Sequence, residues 1–455
     1  MQIIIVGAGL AGLSTALALS HSSAKHRIVL LESASALAEI GAGVQLTPIA
    51  TRQFKAWGLE TQLLAASALP EAWNLRQGSD GEVLNRVQMD RFVEWYGAPY
   101  VVVHRADLHK ILHEAVAARG VDVRLNSRVE EFGIEQGWVK LMSGETLLGD
   151  LVVACDGINS SARTQLLKSL GSNTRQENEL EATGWAAYRL MVDVAKVRQE
   201  SLTRDIVSEH AGNCWYSKIS PFLVSVLTTP RTDTNRSIMT YMIRDSGKLN
   251  MVLSHPDDVD TSTWTRKQYL AKIQSYYADM DPRALHLVNL STGPITNWPV
   301  HQVVKLPAWT SRSGRFVLIG DAAHAMAFYL SMGVSLAIED AAALTTALDL
   351  HESSPKGTSL VKSMRLFENV RKPRAEKIRD ASLHAGAMLH LPPGLEKNLR
   401  DQSARNDSAV LEAQTGDMLL DWISYGITDK QVREECYGYD VVTEMRRHAT
   451  IGKLH

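Results

Sequence analysis

The chain has 455 residues, of which 45% are hydrophobic, and a formal net charge of -2 at neutral pH. This length and apolar content suffice for a large core and predict two or three structural units. The near balance of charge, without a long basic run, argues against a nucleic-acid partner. The three cysteines show neither metal-site spacing nor a disulfide framework, which suits a reducing compartment such as the cytoplasm.

Targeting and membrane segments are not expected. The first predicted strand starts at Gln2, which leaves no room for a signal or transit peptide. The tail from Lys397 is charged and contains no apolar run of about 18 residues, so no membrane span is expected. We expect a monomer or a weak dimer.

Strands and helices alternate in the first part of the chain. Apolar runs predict strands, and helical spacing with Ala and Leu predicts helices between them. The predicted strands are Gln2–Val6, Arg27–Leu31, Val121–Leu125 and Leu151–Ala154, and the predicted helices are Leu10–Ser20 and Leu108–Arg119. Alternation from Val129 to Val139 predicts a hairpin, with a turn at Ser143-Gly144. This order is typical of a mixed α/β unit with a parallel sheet.

The alternation of predicted strands and helices stops between about Thr183 and Asp281. Runs such as Leu223–Leu227 and Ser237–Ile243 are rich in strand-forming residues, and a clear amphipathic helix comes only at Arg266–Ala278. We therefore predict a sheet with one face against the first unit, the usual position for a substrate lid.

The chain then returns to the first unit through a predicted strand at Arg315–Ile319. Gly320 and Asp321 follow, then a loop of small residues and a long helix from about Gly333. From about Leu360 the pattern is helical, with predicted interruptions at Pro373 and Pro392-Pro393.

A dinucleotide-binding turn is predicted at the start of the chain. GAGLAG places Gly7, Gly9 and Gly12 at the G-x-G-x-x-G positions, between a strand and a helix. These glycines permit a tight turn, close approach of backbone to a pyrophosphate, and close helix–strand packing. Glu32 ends the next strand, where a carboxylate can bind both hydroxyls of an adenosine ribose. The motif alone does not separate FAD from NAD.

Two later segments extend this site. ACDGINSSAR, from Ala154 to Arg163, follows a predicted buried strand, and the Gly320-Asp321 loop follows another. An aspartate at a strand end can accept a hydrogen bond from a ribityl or ribose hydroxyl. The helix near Gly333 would direct its free N–H groups and positive end towards a reduced flavin ring. Two distant halves of one site favour a long, two-ended cofactor such as FAD.

Taken in order, these segments resemble the class A flavoprotein aromatic monooxygenases, the para-hydroxybenzoate hydroxylase fold family. ACDGINSSAR matches the DG motif of that family, which serves both FAD and passing NAD(P)H, and GDAAHAM matches its GD motif. HRADLHKIL, with Arg105, matches the segment whose arginine contacts the flavin, and EIGAGVQLTP, from Glu39 to Pro48, matches the loop beside the flavin, with Gly43 against the cofactor. WAAYR, ITNWPV, LPAW and CYGYDV look like the salicylate hydroxylase-like subgroup, in a form typical of fungal secondary metabolism.

The resemblance implies a fold, a domain order and a set of cofactor contacts. The fold class is α/β (α+β mixed): a Rossmann-like FAD-binding domain with an inserted β-sheet substrate domain and C-terminal helices. The predicted domains are residues 1–175 and 284–360 for FAD, 176–283 for the substrate sheet, and 361–455 for the helical region. The predicted cofactor contacts are Gly7, Gly9, Gly12, Glu32, Gly43, Arg105, Asp156, Gly320, Asp321, Gly333 and Val334.

The resemblance also implies a reaction. NAD(P)H would reduce FAD, O2 would give a C4a-hydroperoxyflavin, and oxygen would pass to an electron-rich aromatic or indole-type small molecule. Arg189 is the predicted catalytic residue, because it follows Tyr188 on a strand expected to face the flavin and its guanidinium can hold a carboxylate, phenolate or carbonyl. The alternative for Arg189 is a surface salt bridge with an acid such as Asp193. No metal site is predicted.

The sequence departs from the family at four residues, two in the GD loop and two in the substrate sheet. Phe328 and Ser331 stand where the family has proline and glycine, and only Gly333 is kept. This predicts either an altered pocket for a larger or more apolar substrate or a substitution tolerated by the fold. Our alignment also places Ser225 where phenol hydroxylases carry tyrosine and Pro221 where some carry histidine. These two residues favour a neutral electron-rich ring over a phenol as the substrate.

Several other polar or aromatic residues have a simpler structural interpretation. His324 is expected to be packed under its loop and Cys214 to be a core residue. His210 and Lys218 fit a solvated sheet edge, while Trp185 and Trp215 fit either substrate stacking or sheet packing. The stretch from Arg371 to Arg374 is interpreted as the solvated face of a helix.

The function that the sequence favours is an NAD(P)H- and FAD-dependent monooxygenase of secondary metabolism. The alternatives are a flavin oxidase or dehydrogenase on the same fold, a salicylate-like phenol hydroxylase of catabolism, and a binding protein without catalysis. The intact glycines, Asp156 and Asp321 argue against the last of these.

Overall fold

The computed structural model describes residues 1–37, 43–171, 180–216, 236–244, 247–352, 359–391, 400–401 and 430–451. At the centre of the first unit is a sheet of strands β1 (Gln2–Val6), β2 (Arg27–Leu31), β8 (Asp122–Arg124), β12 (Leu151–Ala154) and β18 (Phe316–Leu318). The strands are parallel, in the order β18-β12-β1-β2-β8. The inner strands are almost wholly buried, as expected when both faces of a parallel sheet are covered. The predicted parallel sheet and its late return strand are confirmed.

Helices and a small antiparallel sheet surround these strands. The helices are α1 (Leu10–Ser20), α5 (Arg105–Ala118), α6 (Ser161–Ser169) and α11 (Gly333–Glu352), and α1 packs against both α5 and α11. The antiparallel sheet has strands β9 (Val129–Gly133), β10 (Trp138–Leu141) and β11 (Thr146–Leu148). The predicted turn at Ser143-Gly144 joins β10 to β11. A second turn joins β9 to β10, where the Gly137 amide donates to the Gly133 carbonyl at 2.7 Å.

A seven-stranded mixed sheet forms the second layer of the fold. Its strands, from edge to edge, are β17 (Thr296–Val303), β13 (Leu180–Asp193), β16 (Lys248–Pro256), β15 (Ser237–Ile243), β14 (Ala211–Tyr216), β5 (Ala72–Gln77) and β6 (Val83–Gln88). Helices α7 (Val194–Gln199), α8 (Arg266–Tyr276) and α9 (Pro282–Leu290) share a core with it. The sheet thus takes strands from three stretches of chain. The predicted strand Leu223–Leu227 lies outside the described residues.

A third group of elements connects the two large sheets. It contains the small sheet of β3 (Gly43–Leu46), β7 (Val101–His104) and β4 (Ser67–Ala68), with helices α2 (Pro48–Ala56), α3 (Glu60–Ala66), α4 (Phe92–Tyr96) and α10 (Asp321–His324). Tyr241 and Ile243 of β15 pack closely on Gly43 of β3. The face of the large sheet that carries Tyr241 therefore points at the loop predicted to lie beside the flavin.

The C-terminal region consists of α12 (Leu360–Leu389), α13 (Lys430–Tyr437) and α14 (Val441–Ile451). The predicted interruption at Pro373 is wrong, because α12 runs through it. A proline removes one helix hydrogen bond, but Phe367, Val370 and Ile378 on either side are buried, and their packing holds the helix together. The prediction at Pro392-Pro393 falls outside the described residues.

Two expectations from composition concern membranes and cysteines. Among the helices in the described ranges, none has both the length and the apolar character that a bilayer crossing requires. Cys155, Cys214 and Cys436 are all free and buried. Burial raises the pKa of the Cys214 thiol to about 12, so this cysteine is a core residue and not a ready nucleophile.

Candidate FAD and substrate site

The GAGLAG turn has the geometry that its three glycines predict. Gly7 adopts a φ of +98°, and a Cβ added to it would lie 2.5 Å from the Cys155 carbonyl oxygen. A Cβ on Gly12 would lie 1.9 Å from the Gly7 carbonyl oxygen, so the turn closes only without a side chain there. No protein atom among the described residues lies within 4 Å of a Cβ added to Gly9. The space beside Gly9 is therefore free for a ligand.

Glu32 lies at the end of β2 next to this turn. Its carboxylate accepts hydrogen bonds from the backbone amides of Ala8 and Ala34, both at 2.8 Å. Burial alone would raise the pKa of Glu32, but these amide donors outweigh burial and lower it below its ordinary value. The carboxylate is thus charged at neutral pH and fixed beside Gly9, where a ribose would lie.

We expect Glu32→Gln to weaken FAD binding by about tenfold, because it removes a charged acceptor for a ribose diol. It should also lower the stability of the apoprotein by about 1 kcal/mol at pH 7, through weaker bonds to Ala8 and Ala34. A lowered folded-state pKa stabilises the protein above the ordinary pKa of the group, and this contribution is lost as the pH falls through the folded value. The stability difference should therefore vanish in acid.

Urea unfolding of the apoproteins between pH 3 and 8, together with flavin content after dialysis, measures both effects of Glu32→Gln. Glu130→Gln, at an exposed position on β9, is the matched control. Full flavin retention by the Glu32 variant would remove Glu32 from the cofactor site.

The DG segment is held by its own side chains. Asp156 accepts hydrogen bonds from the Ser160 hydroxyl at 2.5 Å and from the Ala162 amide at 3.1 Å, while Ser160 caps α6 by accepting from the Arg163 amide. The structure therefore gives Asp156 a local role in shaping the loop. Its contact with the cofactor stays a prediction.

Arg163 joins the DG segment to the GD segment. Its buried guanidinium donates to the carbonyl oxygens of Ile158, at 2.8 Å, and Ala322, at 3.0 Å. Burial lowers the pKa of Arg163, and the charges of Asp156 and Asp321 act against this lowering. The two motifs, distant in sequence, are therefore parts of one site.

Asp340 on α11 fixes the GD segment through two hydrogen bonds. The Asp340 carboxylate accepts from the Gly320 amide at 3.1 Å and from Nε2 of His324 at 2.6 Å. His324 is buried, as the sequence predicted. Asp321 is exposed at the start of α10, so its side chain is available to a cofactor. Gly333 begins α11, and a Cβ added to it meets no atom within 4 Å in the described structure.

The interpretation of Arg371 to Arg374 as a solvated helix face is wrong. Arg371 is 0% exposed and donates to Asp340 at 2.8 Å and to Glu339. Arg374 donates to Glu339 at 2.7 Å, and its guanidinium lies 3.6 Å from the centre of the Tyr439 ring. Two arginines and two acids thus form a buried, charge-balanced cluster between α11 and α12.

Sequence reasoning missed this cluster because each charged residue alone looks like surface. Burial lowers the pKa of Arg371 to about 9, with the charge of Arg374 adding to the effect, so its guanidinium stays protonated at neutral pH. A usable signal was the unbroken apolar pattern of α11 around Glu339-Asp340, since buried acids require buried cations.

The segment HRADLHKIL contributes two side chains to the site. His109 is buried on α5, and its Nε2 donates to the Ala8 carbonyl at 2.8 Å, which fixes the GAGLAG turn. Arg105 begins α5 and is half-buried. Burial lowers the pKa of Arg189 in the large sheet, and the charge of Arg105 adds to this effect.

A cleft of about 370 Å³ lies at the GAGLAG turn. Residues of the GAGLAG turn, the end of β2 and the DG segment line it, including Gly7, Gly9, Glu32, Asp156 and Gly157. The open space at Gly9 and the fixed acid at Glu32 fit the pyrophosphate and ribose of a dinucleotide. Binding of the adenosine end of the cofactor in this cleft stays a prediction.

Arg189 lies on β13 of the large sheet, and its place in the substrate site stays a prediction. Its guanidinium lies 4.9 Å from the centre of the Trp298 ring, and its Nε is buried with no hydrogen-bond partner in the described part of the chain. No salt bridge joins Arg189 to an acid among the described residues, and Asp193 pairs instead with Lys248 at 3.7 Å. Burial lowers the pKa of Arg189; Tyr241 acts against this, and Arg105 adds to it.

Gly43 packs against Tyr241 of the large sheet. A Cβ added to it would lie 2.6 Å from the Tyr241 ring, and the Tyr241 hydroxyl donates to the Gly43 carbonyl at 2.9 Å. Close packing on the large sheet thus explains this glycine. Contact of Gly43 with the flavin stays a prediction, and residues 39–42 of the same loop lie outside the described structure.

The structure describes the loop that carries the departures at Phe328 and Ser331. Ser331 adopts a φ of +55°, the left-handed conformation for which glycine is the usual choice. Phe328 is half-buried, with its ring centre 4.6 Å from that of Tyr329. Tyr329 in turn exchanges a hydrogen bond with Ser254 of β16, at 2.9 Å. The loop therefore packs an aromatic pair against the face of the large sheet that carries Ser254.

The two tryptophans have structural partners. Trp215 is fully buried and donates to Asp281 at 2.9 Å. Trp185 stacks on His390 at the end of α12, with 4.1 Å between ring centres. His210 is half-buried beside β14. Lys218, Pro221 and Ser225 lie outside the described residues.

Comparison with known proteins agrees with this geometry. The family model described as FAD binding domain matches residues 1–382. FAD-dependent monooxygenase OpS4 of Beauveria bassiana (strain ARSEF 2860) is 29% identical over 409 residues, which cover 89% of this chain and 88% of that protein. The 3-hydroxybenzoate 6-hydroxylase of Klebsiella oxytoca is 26% identical over 405 residues, covering 88% and 91%. The solved salicylate hydroxylase substrate complex superposes with a TM-score of 0.71 at 21% identity, covering 98% of each chain.

The family match spans both halves of the predicted cofactor site, from the GAGLAG turn to the GD segment and α11. The cofactor is therefore FAD. The solved structure shares the arrangement of a parallel sheet and a large second sheet. This chain belongs to the FAD binding domain family and, within it, to the FAD-dependent aromatic monooxygenases of class A.

Proposed function

We propose that this protein uses NAD(P)H and O2 to oxygenate an electron-rich aromatic or indole-type small molecule in secondary metabolism. The observation that carries the proposal is Arg189, a half-buried residue whose Nε is buried with no partner in the described structure. The charges of Tyr241 and Arg105 both act on its pKa. A guanidinium with a buried and unpaired Nε is suited to an oxygen atom of a substrate.

The chain supplies binding, orientation and exclusion of water at this place. FAD, when bound, supplies the redox chemistry. Glu32 and the backbone near Gly9 would hold its adenosine end, while Asp321 and the start of α11 would lie along its other end. Arg189 would hold a substrate oxygen and balance negative charge there, since an arginine does not release its proton at working pH.

Turnover with and without substrate tests the reaction type. Purified FAD-loaded protein should oxidise NADPH or NADH faster when an accepted aromatic compound is added, and one atom of 18O from 18O2 should enter the product. Flavin reduction by the aromatic compound alone, without a nicotinamide, would favour an oxidase or dehydrogenase and refute the proposal.

Arg189→Gln should keep FAD bound while product per NAD(P)H consumed falls by at least about tenfold, because one hydrogen bond from a charged group contributes about 1.5–3 kcal/mol. The NAD(P)H that is consumed without product formation should instead reduce O2 to hydrogen peroxide. Arg86→Gln, which affects an exposed ion pair with Glu209 at the far edge of the same sheet, is the matched control. An unchanged product yield would exclude Arg189 from the reaction.

A further inference from the structure

A buried amide in the large sheet has no hydrogen-bond partner. Asn250 lies on β16 and is only 1% exposed. Neither its Oδ1 nor its Nδ2 is hydrogen-bonded to any described residue. Native proteins seldom leave such groups unpaired, because a buried polar group without a hydrogen bond destabilises the folded state. The amide of Asn250 therefore points to a ligand that supplies both a donor and an acceptor.

The register of the sheet shows which way this amide points. Asn250 is directly opposite Met191 on β13 and Tyr241 on β15. Side chains alternate between the two faces of a strand, and Leu249 and Met251 pack in the core shared with α7 to α9. Asn250 therefore shares the face of Tyr241, whose hydroxyl donates to Gly43 beside the predicted flavin position.

Arg189 lies on the same face and close to Asn250. It is opposite Val252, two residues along β16 from Asn250, so the two side chains are diagonal neighbours across adjacent strands. Diagonal neighbours lie roughly 7–8 Å apart, within reach of one small bound molecule. The amide of Asn250 can both donate and accept, whereas the guanidinium of Arg189 can only donate.

This pair of groups fits a particular ligand chemistry. The complement of a primary amide is an adjacent N–H and C=O held on one side, as in a lactam or other cis-amide, which forms two parallel hydrogen bonds with it. A carboxylate fits poorly, because its second oxygen would face Oδ1. Arg189 would take a further carbonyl or enolate oxygen of the same molecule.

We propose that Asn250 is a substrate-recognition residue that selects aromatic substrates carrying a lactam or cis-amide. The inference rests on the proposed function for the place of binding, but it concerns recognition and does not depend on turnover.

Two isosteric probes test the inference without turnover. 2-Quinolone carries the N–H and C=O pair, and coumarin replaces that N–H with an oxygen. Each is titrated into oxidised FAD-loaded protein while the flavin absorption spectrum is followed. The wild type should bind 2-quinolone at least about tenfold more tightly than coumarin, and Asn250→Leu should abolish this preference.

Thr240→Val is the matched control variant. Thr240 is also a buried polar residue of this sheet whose Oγ1 lacks a partner in the described structure, but it lies opposite Met251, on the other face. This variant should keep the full preference for 2-quinolone. Flavin content and the thermal midpoint of each variant show that it is folded and loaded.

Equal binding of the two probes by the wild type, failure of 2-quinolone to bind, or a preference that survives Asn250→Leu would each overturn the inference. In the last case the Asn250 amide would be hydrogen-bonded to buried water and would not recognise the ligand. A protein that shows the probe preference but no oxygen transfer would instead refute the proposed function alone.

Discussion

Arg371→Met should lower the free energy of unfolding by about 3–5 kcal/mol, the largest effect expected from a single side chain outside the cofactor turn. The substitution leaves Glu339 and Asp340 buried beside one arginine instead of two. Asp340 also holds the Gly320 amide and His324, so the GD segment should loosen and FAD affinity should fall with stability.

Urea unfolding and flavin release on dialysis measure the effect of Arg371→Met. Arg365→Met, on an exposed position of the same helix, is the matched control and should change stability by less than about 0.5 kcal/mol. If the two variants were equally stable, the cluster would contribute nothing to the native state. A loss of stability without weaker FAD binding would show that the cluster does not act on the GD segment.

Gly12→Ala and Gly9→Ala should both lose FAD, but for different reasons. A methyl group on Gly12 would lie 1.9 Å from the Gly7 carbonyl oxygen, so the turn itself must distort. We expect the apoprotein to lose about 3 kcal/mol or more, because backbone atoms cannot move aside as a side chain can. A methyl group on Gly9 meets no described protein atom, so it should leave the apoprotein stable and weaken FAD binding by about tenfold or more.

Thermal unfolding of the apoproteins and fluorescence titration with FAD separate these two effects. Gly293→Ala is the control, because it also points into open space but lies far along the chain from the cofactor segments. Gly9→Ala with wild-type FAD affinity would show that the cofactor backbone does not approach this position. Gly12→Ala with wild-type stability would contradict the geometry of the turn.

Much of the first unit could be predicted because its signals are local. The strands Gln2–Val6, Arg27–Leu31 and Leu151–Ala154 are short apolar runs, and they occur where the patterns indicated. The GAGLAG turn could also be predicted, since glycine spacing between a strand and a helix reflects a steric need within a few residues. Helix α12 was predicted to break at Pro373, because long-range packing that outweighs one lost hydrogen bond leaves no local signal.

The sequence by itself determined the cofactor class and the order of the segments that bind it, because each motif carries its own local geometry. Only the tertiary structure decided which charges are buried and which polar groups lack partners. Arg371 and Arg374 resemble surface residues until Glu339 and Asp340 are brought against them from another helix. Asn250 resembles any polar strand residue until the pairing of β16 with β13 and β15 buries it opposite Met191 and Tyr241. Burial depends on contacts between distant segments, and a pattern of neighbouring residues does not encode those contacts.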